Sequence, residues 1–336
     1  MVMAQSLFIT LKQQHPNCLI DVLAPSWSLP LLERMPEVNR AIAMPLGRGE
    51  FGLLARVRIG RGLQSNHYDQ AILLPNSWKS ALIPFFANIP KRTGYIGEAR
   101  WGLLNDVRRL DKKRLTMTVQ RFVALGLPAD VPQPPVYEFP KFSISPEQQS
   151  LVCQKFGLTF EYGRRPLPRG EGRGEGMVDN ILALCPGAEY GPAKRWPAEH
   201  FAAVARQKHA EGWQIWLFGS EKDRVVTEEI NTLSGGMCRD FAGRTSLAEA
   251  VDLLSLAERV VSNDSGLMHV AAALDKKLIA LYGSSDPGFT PPLHHFAQII
   301  SLKLDCSPCF ERDCPLGHTR CLADISPERV LVALDN

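Results

Sequence analysis

At 336 residues the chain is long enough for two domains, and with 45% hydrophobic and 22% charged residues it has the balance of a globular protein rather than a disordered one. No apolar run approaches the roughly 20 residues that span a bilayer, and the N-terminus lacks the regions of a signal peptide, so the expected location is the cytoplasm. A net charge of +3 is too mild to argue for nucleic acid, and it suits anionic small molecules or work beside an acidic membrane surface.

In chain order, "MVMAQSLFITLKQQHP" (1–16) has helical periodicity and leads directly into a strand pattern, "CLIDVLAP" (18–25). Further short apolar runs at 41–46 and 70–76 predict strands, with "SALIPFFANI" as a helix after them. The stretch "LPNSWKSALIPFFANIPKRTGYIGEAR" (74–100) places Asn76, Ser77 and Lys79 at a strand end, with Arg92 and Arg100 downstream. It reads either as a basic floor for an anionic acceptor or as solvated surface. Residues 163–176 hold five Gly, four Arg and two Pro with almost nothing apolar, a composition that cannot offset its ordering entropy. The division predicted is therefore a first domain over 1–160, a Gly/Arg-rich linker or insertion over 161–180, and a second domain over 181–336.

The second half is more regular. Runs at 181–188, 213–220, 259–264 and 277–284 are apolar at consecutive positions, as strands buried on both faces require, and helical segments alternate with them. The pattern is α/β with parallel, doubly wound sheets. Ligands of such sheets bind beyond the carboxyl ends of the strands, so the residues just after each run are the candidates. Lys194 follows a loop containing Gly187 and Gly191, and Glu221 follows Gly219. Asp264, Ser265 and Gly266 stand where a strand becomes a helix, so they read either as a plain cap or as a phosphate pocket built on free amides and the helix dipole. His269 lies one turn further along the same helix face. No loop has the spacing of a P-loop or a G-x-G-x-x-G fingerprint.

Of eight cysteines, four cluster in "CSPCFERDCPLGHTRC": Cys306, Cys309, Cys314 and Cys321, with His318 among them. One CxxC with irregular spacing after it lacks a second matched pair, so reduced thiols on a compact loop are expected ahead of a zinc site.

The segments "CPGAEYGPAKRWP", "LFGSEKD", "NDSGLMHVAAAL" and "LYGSSDPGFTPPL", in this order, resemble the ADP-heptose:lipopolysaccharide heptosyltransferases of glycosyltransferase family 9. So do "APSWSLPLLERMPEVN" and "GLLNDVR" in the first half, and the likeness covers nearly the whole chain apart from the Gly/Arg-rich segment. The resemblance implies a GT-B architecture, two Rossmann-like domains facing across a cleft, with the donor in the C-terminal domain and a lipid-linked acceptor in the N-terminal one. It implies inverting transfer of heptose from ADP-heptose to the first heptose of the inner core, with no cofactor required. By likeness, Lys194 and the amides of Ser265 and Gly266 bind the diphosphate, Glu221 the ribose, and Thr245 lies near the adenine. Asp264 and His269 lie near the sugar and phosphate, and Glu189 and Tyr190 stand where related members carry hydroxyl residues. Family members begin with a strand and a Gly-rich turn ending in an aspartate that acts as general base. Here that base is expected upstream of Met1, which leaves a catalytically impaired nucleotide-sugar-binding remnant as one alternative. Another GT-B enzyme, such as a nucleotide-sugar epimerase, is the other.

Overall fold

The computed structural model describes residues 1–47, 49–158 and 180–336, so most of the predicted linker lies outside the described residues. The chain separates into two compact units, Met3–Pro140 with Gly288–Thr290, and Lys141–Pro287 with Pro291–Asn336. The division at Pro140 falls ahead of the Gly/Arg-rich segment. Lys141–Leu158, which the sequence assigns to the first domain, therefore belongs with the second unit.

The first unit runs α1 (Gln5–Gln14), β1 (Ile20–Pro25), α2 (Leu29–Leu32), β2 (Val38–Met44), α3 (Leu53–Leu63), β3 (Gln70–Leu73), α4 (Trp78–Phe86), β4 (Lys91–Tyr95), β5 (Asp106–Arg108) and α5 (Thr118–Gly126). Every strand pairing in it is parallel. Among the described residues the strands form two separate sheets, β1-β2 and β3-β4-β5. Most side chains of β1 are only partly covered, Ala24 being the buried exception. Leu73, Ala81 and Leu104 form one apolar cluster and Tyr95, Leu115, Ala124 and Leu125 another, and Leu7, Phe8, Leu32, Val119 and Val123 are buried as well. Tyr95 donates its phenol to the Arg121 carbonyl at 2.9 Å, and burial pushes that phenol up to about 12.

The second unit contains α6 (Pro146–Lys155), β6 (Ile181–Cys185), α7 (Ala198–Ala210), β7 (Gln214–Leu217), α8 (Arg224–Leu233), β8 (Arg239–Asp240), α9 (Leu247–Leu254), β9 (Arg259–Asn263), α10 (Gly266–Ala273), β10 (Lys277–Leu281), β11 (Gln298–Ile300), α11 (Arg320–Ala323) and α12 (Pro327–Asp335). Its six strands among the described residues make one continuous parallel sheet in the order β11-β10-β9-β6-β7-β8. Helices cover both faces, which explains why all five residues of β6 are buried and why the strand reads as an uninterrupted apolar run. Leu182, Leu184, Phe201, Leu217 and Val261 lie in one core cluster, each burial of this kind contributing about 1.5–3 kcal/mol. α6 joins this unit through Gln149 to Ser255 at 2.7 Å and Lys155 to Glu249 at 2.5 Å. The same Glu249 completes a capping box with Ser246 at the start of α9.

Candidate functional site

Because β6, β7, β9 and β10 are parallel neighbours, the loops leaving their carboxyl ends lie along one edge of the second sheet. Asn263, the last residue of β9, is fully buried and ties two of these loops together. Its amide oxygen accepts from the Trp196 backbone N–H at 3.1 Å and its amide nitrogen donates to the Pro186 carbonyl at 2.7 Å. The chain then needs only Asp264 and Ser265 to turn into α10.

Lys194, at the end of the loop after β6, puts its ammonium 2.5 Å from the Asp264 carboxylate, with the two side chains 19% and 6% exposed. The same ammonium stands 5.4 Å from the centre of the Tyr190 ring, whose hydroxyl donates to the Phe310 carbonyl at 2.8 Å. Lys194, Asp264 and Tyr190 are thus brought together. Ser265 occupies the N-cap position of α10 with extended backbone but makes no capping hydrogen bond, and the Asp264 carboxylate is engaged by Lys194. The plain-cap reading of this turn is therefore not what the structure adopts. A Cβ placed on Gly266 would meet nothing within 4 Å, so open space lies against the first turn of a helix whose leading amides carry partial positive charge. Burial pushes the half-buried His269 imidazole down to about 4, against the opposing pull of the Asp264 carboxylate, so it is neutral near pH 7.

On the neighbouring strand ends, Glu221 pairs with Arg224 at 3.1 Å and lies against Gly243, where an added Cβ would come within 2.3 Å of its carboxylate. Thr245, two residues beyond Gly243, bonds back to the Phe241 carbonyl at 3.2 Å. Glu189 is exposed and paired with Lys222 at 2.8 Å, out on the rim. Two positioning residues escaped the sequence reading. Asn263 was visible only as a polar residue closing an apolar run. Asp223, which accepts from Ser220 N–H at 2.9 Å and packs on Gly187, carries the S-x-x-D signature of a helix start.

The first-unit candidates divide differently. Asn76 packs against Gly97 after β3, Ser77 precedes α4, and Lys79 reaches the Glu50 carbonyl at 3.4 Å. The Glu98 carboxylate accepts the Trp78 N–H at 3.0 Å and so already fills the positive end of α4. Arg92 and Arg100 do not join a basic floor. Arg92 sits at the amino end of β4, at the opposite end of the parallel sheet from Asn76, and donates to the carbonyls of Leu103 and Ile89 at 2.6 Å each. Arg100 is 3% exposed and donates to the carbonyls of Pro75, at 2.8 Å, and Tyr95. Both guanidiniums donate mainly to main-chain carbonyls, although the buried Arg100 Nε has no partner among the described residues. Asp21 is likewise held, by Tyr68 at 2.6 Å and by Asn39 and Arg40 at 2.8 Å each. Partial burial raises its carboxyl pKa, but the Tyr68 and Asn39 hydrogen bonds and the Arg40 charge outweigh this and leave it below its ordinary value, a poor proton acceptor.

Among the described residues no three His, Cys, Asp or Glu side chains are drawn together closely enough to hold a metal ion as placed, and no helix is long and apolar enough to cross a membrane.

The chain is 48% identical to lipopolysaccharide heptosyltransferase 2 of Salmonella typhimurium over 345 residues, covering 99% of this chain and 94% of that protein. It is 47% identical to lipooligosaccharide heptosyltransferase 2 of Haemophilus influenzae, covering 100% and 95%. The solved structure of E. coli ADP-heptose lps heptosyltransferase II superposes with a TM-score of 0.81 at 44% identity, over 100% of this chain and 94% of that one. This likeness makes the architecture GT-B, consistent with the parallel sheets of both units. The profile of glycosyltransferase family 9 (heptosyltransferase) matches residues 56–320, and the chain belongs to that family of glycosyltransferases.

Proposed function

We propose that this protein transfers heptose from ADP-heptose to the first heptose of the lipopolysaccharide inner core, with inversion at the anomeric carbon. The observation that carries the reading is the half-buried Lys194–Asp264 pair at the head of α10, beside the open face of Gly266. Cleavage of the sugar–phosphate bond builds negative charge on the departing ADP. Lys194, by exchanging Asp264 for the diphosphate, and the amides of Ser265 and Gly266 are placed to meet that charge as it develops. Asp264 then stays beside the sugar, and the neutral imidazole of His269 supplies a hydrogen bond rather than a countercharge. Glu221 can exchange Arg224 for ribose hydroxyls, because that pair is exposed and weak. Thr245 lies beyond it on the adenine side.

The acceptor hydroxyl must also lose a proton. Asp264 is engaged by Lys194 and Asp21 is pinned by three donors, so the base is to be sought outside both. Asn76, Ser77 and Lys79 remain the acceptor-side candidates. A lipid-linked acceptor would place the reaction at the cytoplasmic face of the inner membrane, which co-sedimentation with vesicles of anionic lipid checks.

The test is purified protein with ADP-heptose and lipid-linked cores carrying no heptose, one heptose or two. Gain of one heptose on the one-heptose acceptor, with release of ADP, is expected. Transfer confined to the heptose-free acceptor would overturn the reading. Calorimetric binding of ADP-heptose without turnover on any of the three acceptors would overturn it as well.

A further inference from the structure

The loop from Ser301 to Thr319 contains no helix or strand, and at nineteen residues it is longer than connections usually are without a specific function. Lys303, Phe310 and Thr319 in it hold left-handed backbone, with φ of 51°, 59° and 47°, which non-glycine residues adopt at a cost. So irregular a segment needs something to fix it.

Cys306, Cys309, Cys314 and Cys321 all line one small pocket, with His318 and Ser284 on its wall, and none is in a disulfide. Ser284 is 1% exposed, and its hydroxyl has no hydrogen-bond partner among the described residues. A buried hydroxyl without a partner marks a place where a polar or charged group belongs. Backbone amides of Thr319, Leu316, His318 and Gly317 lie around the Cys314 sulfur.

We propose that these four cysteines form a structural site for one divalent ion of the zinc class, held as a tetrahedral thiolate complex with Ser284 beside it. Four sulfurs suit such an ion and leave no open position, so the site is structural rather than catalytic. Each thiol gives its proton to solvent as it binds, and no oxidant or reductant is involved. As placed, the sulfurs surround the pocket without meeting at one point. Binding would draw the four sulfurs to about 2.3 Å from the ion, and Cys306 lies exposed on irregular backbone.

The site has a consequence for Lys194. The cysteine loop accepts the Ala193 N–H at the Arg312 carbonyl, 3.2 Å away, and the Tyr190 hydroxyl at Phe310. Gly191 lies so close to Arg312 that a Cβ would come within 2.3 Å of its carbonyl oxygen. A metal that fixes residues 306–321 therefore fixes the loop that presents Lys194.

The experiment takes the full chain, expressed and purified anaerobically without chelator. Elemental analysis is expected to find about one zinc per chain, and Cys309→Ser with Cys314→Ser to lose it while Cys18→Ser keeps it. A second measurement does not depend on variants folding. In the wild-type protein, a thiol reagent should find four cysteines that become reactive only on chelation, in step with metal release, and ADP binding should weaken at the same point. Folded wild-type protein that takes up no zinc when reduced and supplied with it, disulfides among the four cysteines under reducing conditions, or metal retained in the double variant would each overturn the proposal.

Discussion

The two units carry the same kind of sheet to different degrees of completion. Numbered within its own unit, the second sheet reads sixth, fifth, fourth, first, second, third, with its first strand, β6, at the centre and buried along its whole length. In the first unit, β5-β4-β3 and β1-β2 reproduce the two flanks of that order, and among the described residues nothing corresponds to β6. The consequences are physical. Among the described residues β1 and β3 each keep an edge without a partner strand, and most of their side chains are only partly covered. A central parallel strand adds hydrogen bonds on two sides and apolar contacts on two faces, so one strand decides whether two half-sheets act as one layer.

The largest effect expected is on the complete unit's chemistry. Replacing Lys194 by Met should lower kcat by about 10²–10³-fold if the ammonium meets charge on the leaving ADP, the range seen when one preorganised donor to a developing anion is lost. The substitution also leaves Asp264 buried without its cation, so Lys194→Met with Asp264→Asn should recover thermal stability without recovering turnover. Full activity in the single variant would remove Lys194 from the proposed mechanism.

Packing should separate the units next. Leu184→Ala in β6 removes a side chain with no measurable exposure and should cost about 2–5 kcal/mol. Val22→Ala in β1 removes a partly exposed one and should cost less than about half of that. Urea melts of both variants, followed by a probe in each unit, measure the contrast. Equal losses would mean that β1 is as enclosed as β6. Native-state hydrogen exchange sharpens the same point: amides of β6 and β9 should open only with the second unit as a whole, whereas those on the unpaired edges of β1 and β3 should exchange by local opening.

What the sequence made legible follows the same division. The run at 181–185 announces a strand because both faces are buried and every position is apolar, whereas β9 shows itself only through Val260 and Val261, its Ser262 and Asn263 being buried polar residues. β4, "KRTGY", was not foreseen, since its start is charged and its burial comes from neighbours the sequence does not identify. Arg92 and Arg100 read in sequence either as a floor for an acceptor or as solvated surface, because a cation's partner is invisible there when that partner is a main-chain carbonyl. The turn at Asp264 was legible as polar residues interrupting a core. Its pairing with Lys194, seventy positions away, was not. The cysteine spacings did not reveal that all four thiols line one pocket, because loop path rather than spacing brings them there.

The smallest effect expected is in acid, where the ranking of the units should reverse. His269 has its folded pKa depressed to about 4, below the roughly 6.5 of an unfolded histidine, so between these values the unfolded chain binds more protons. The second unit should therefore lose stability as pH falls through that window, and His269→Gln should flatten the slope there. Asp21 in the first unit is also held below its ordinary carboxylate value, but its contribution is intact down to about pH 4 and fades only below it. Asp21→Asn should accordingly destabilise the first unit at neutral pH and become indistinguishable from wild type in strong acid. Thermal melts at half-unit pH steps follow both. If His269→Gln left the slope between pH 6.5 and 4 unchanged, the histidine would be solvated rather than held neutral, and its assignment as an uncharged hydrogen-bonding group beside the donor sugar would fall with it.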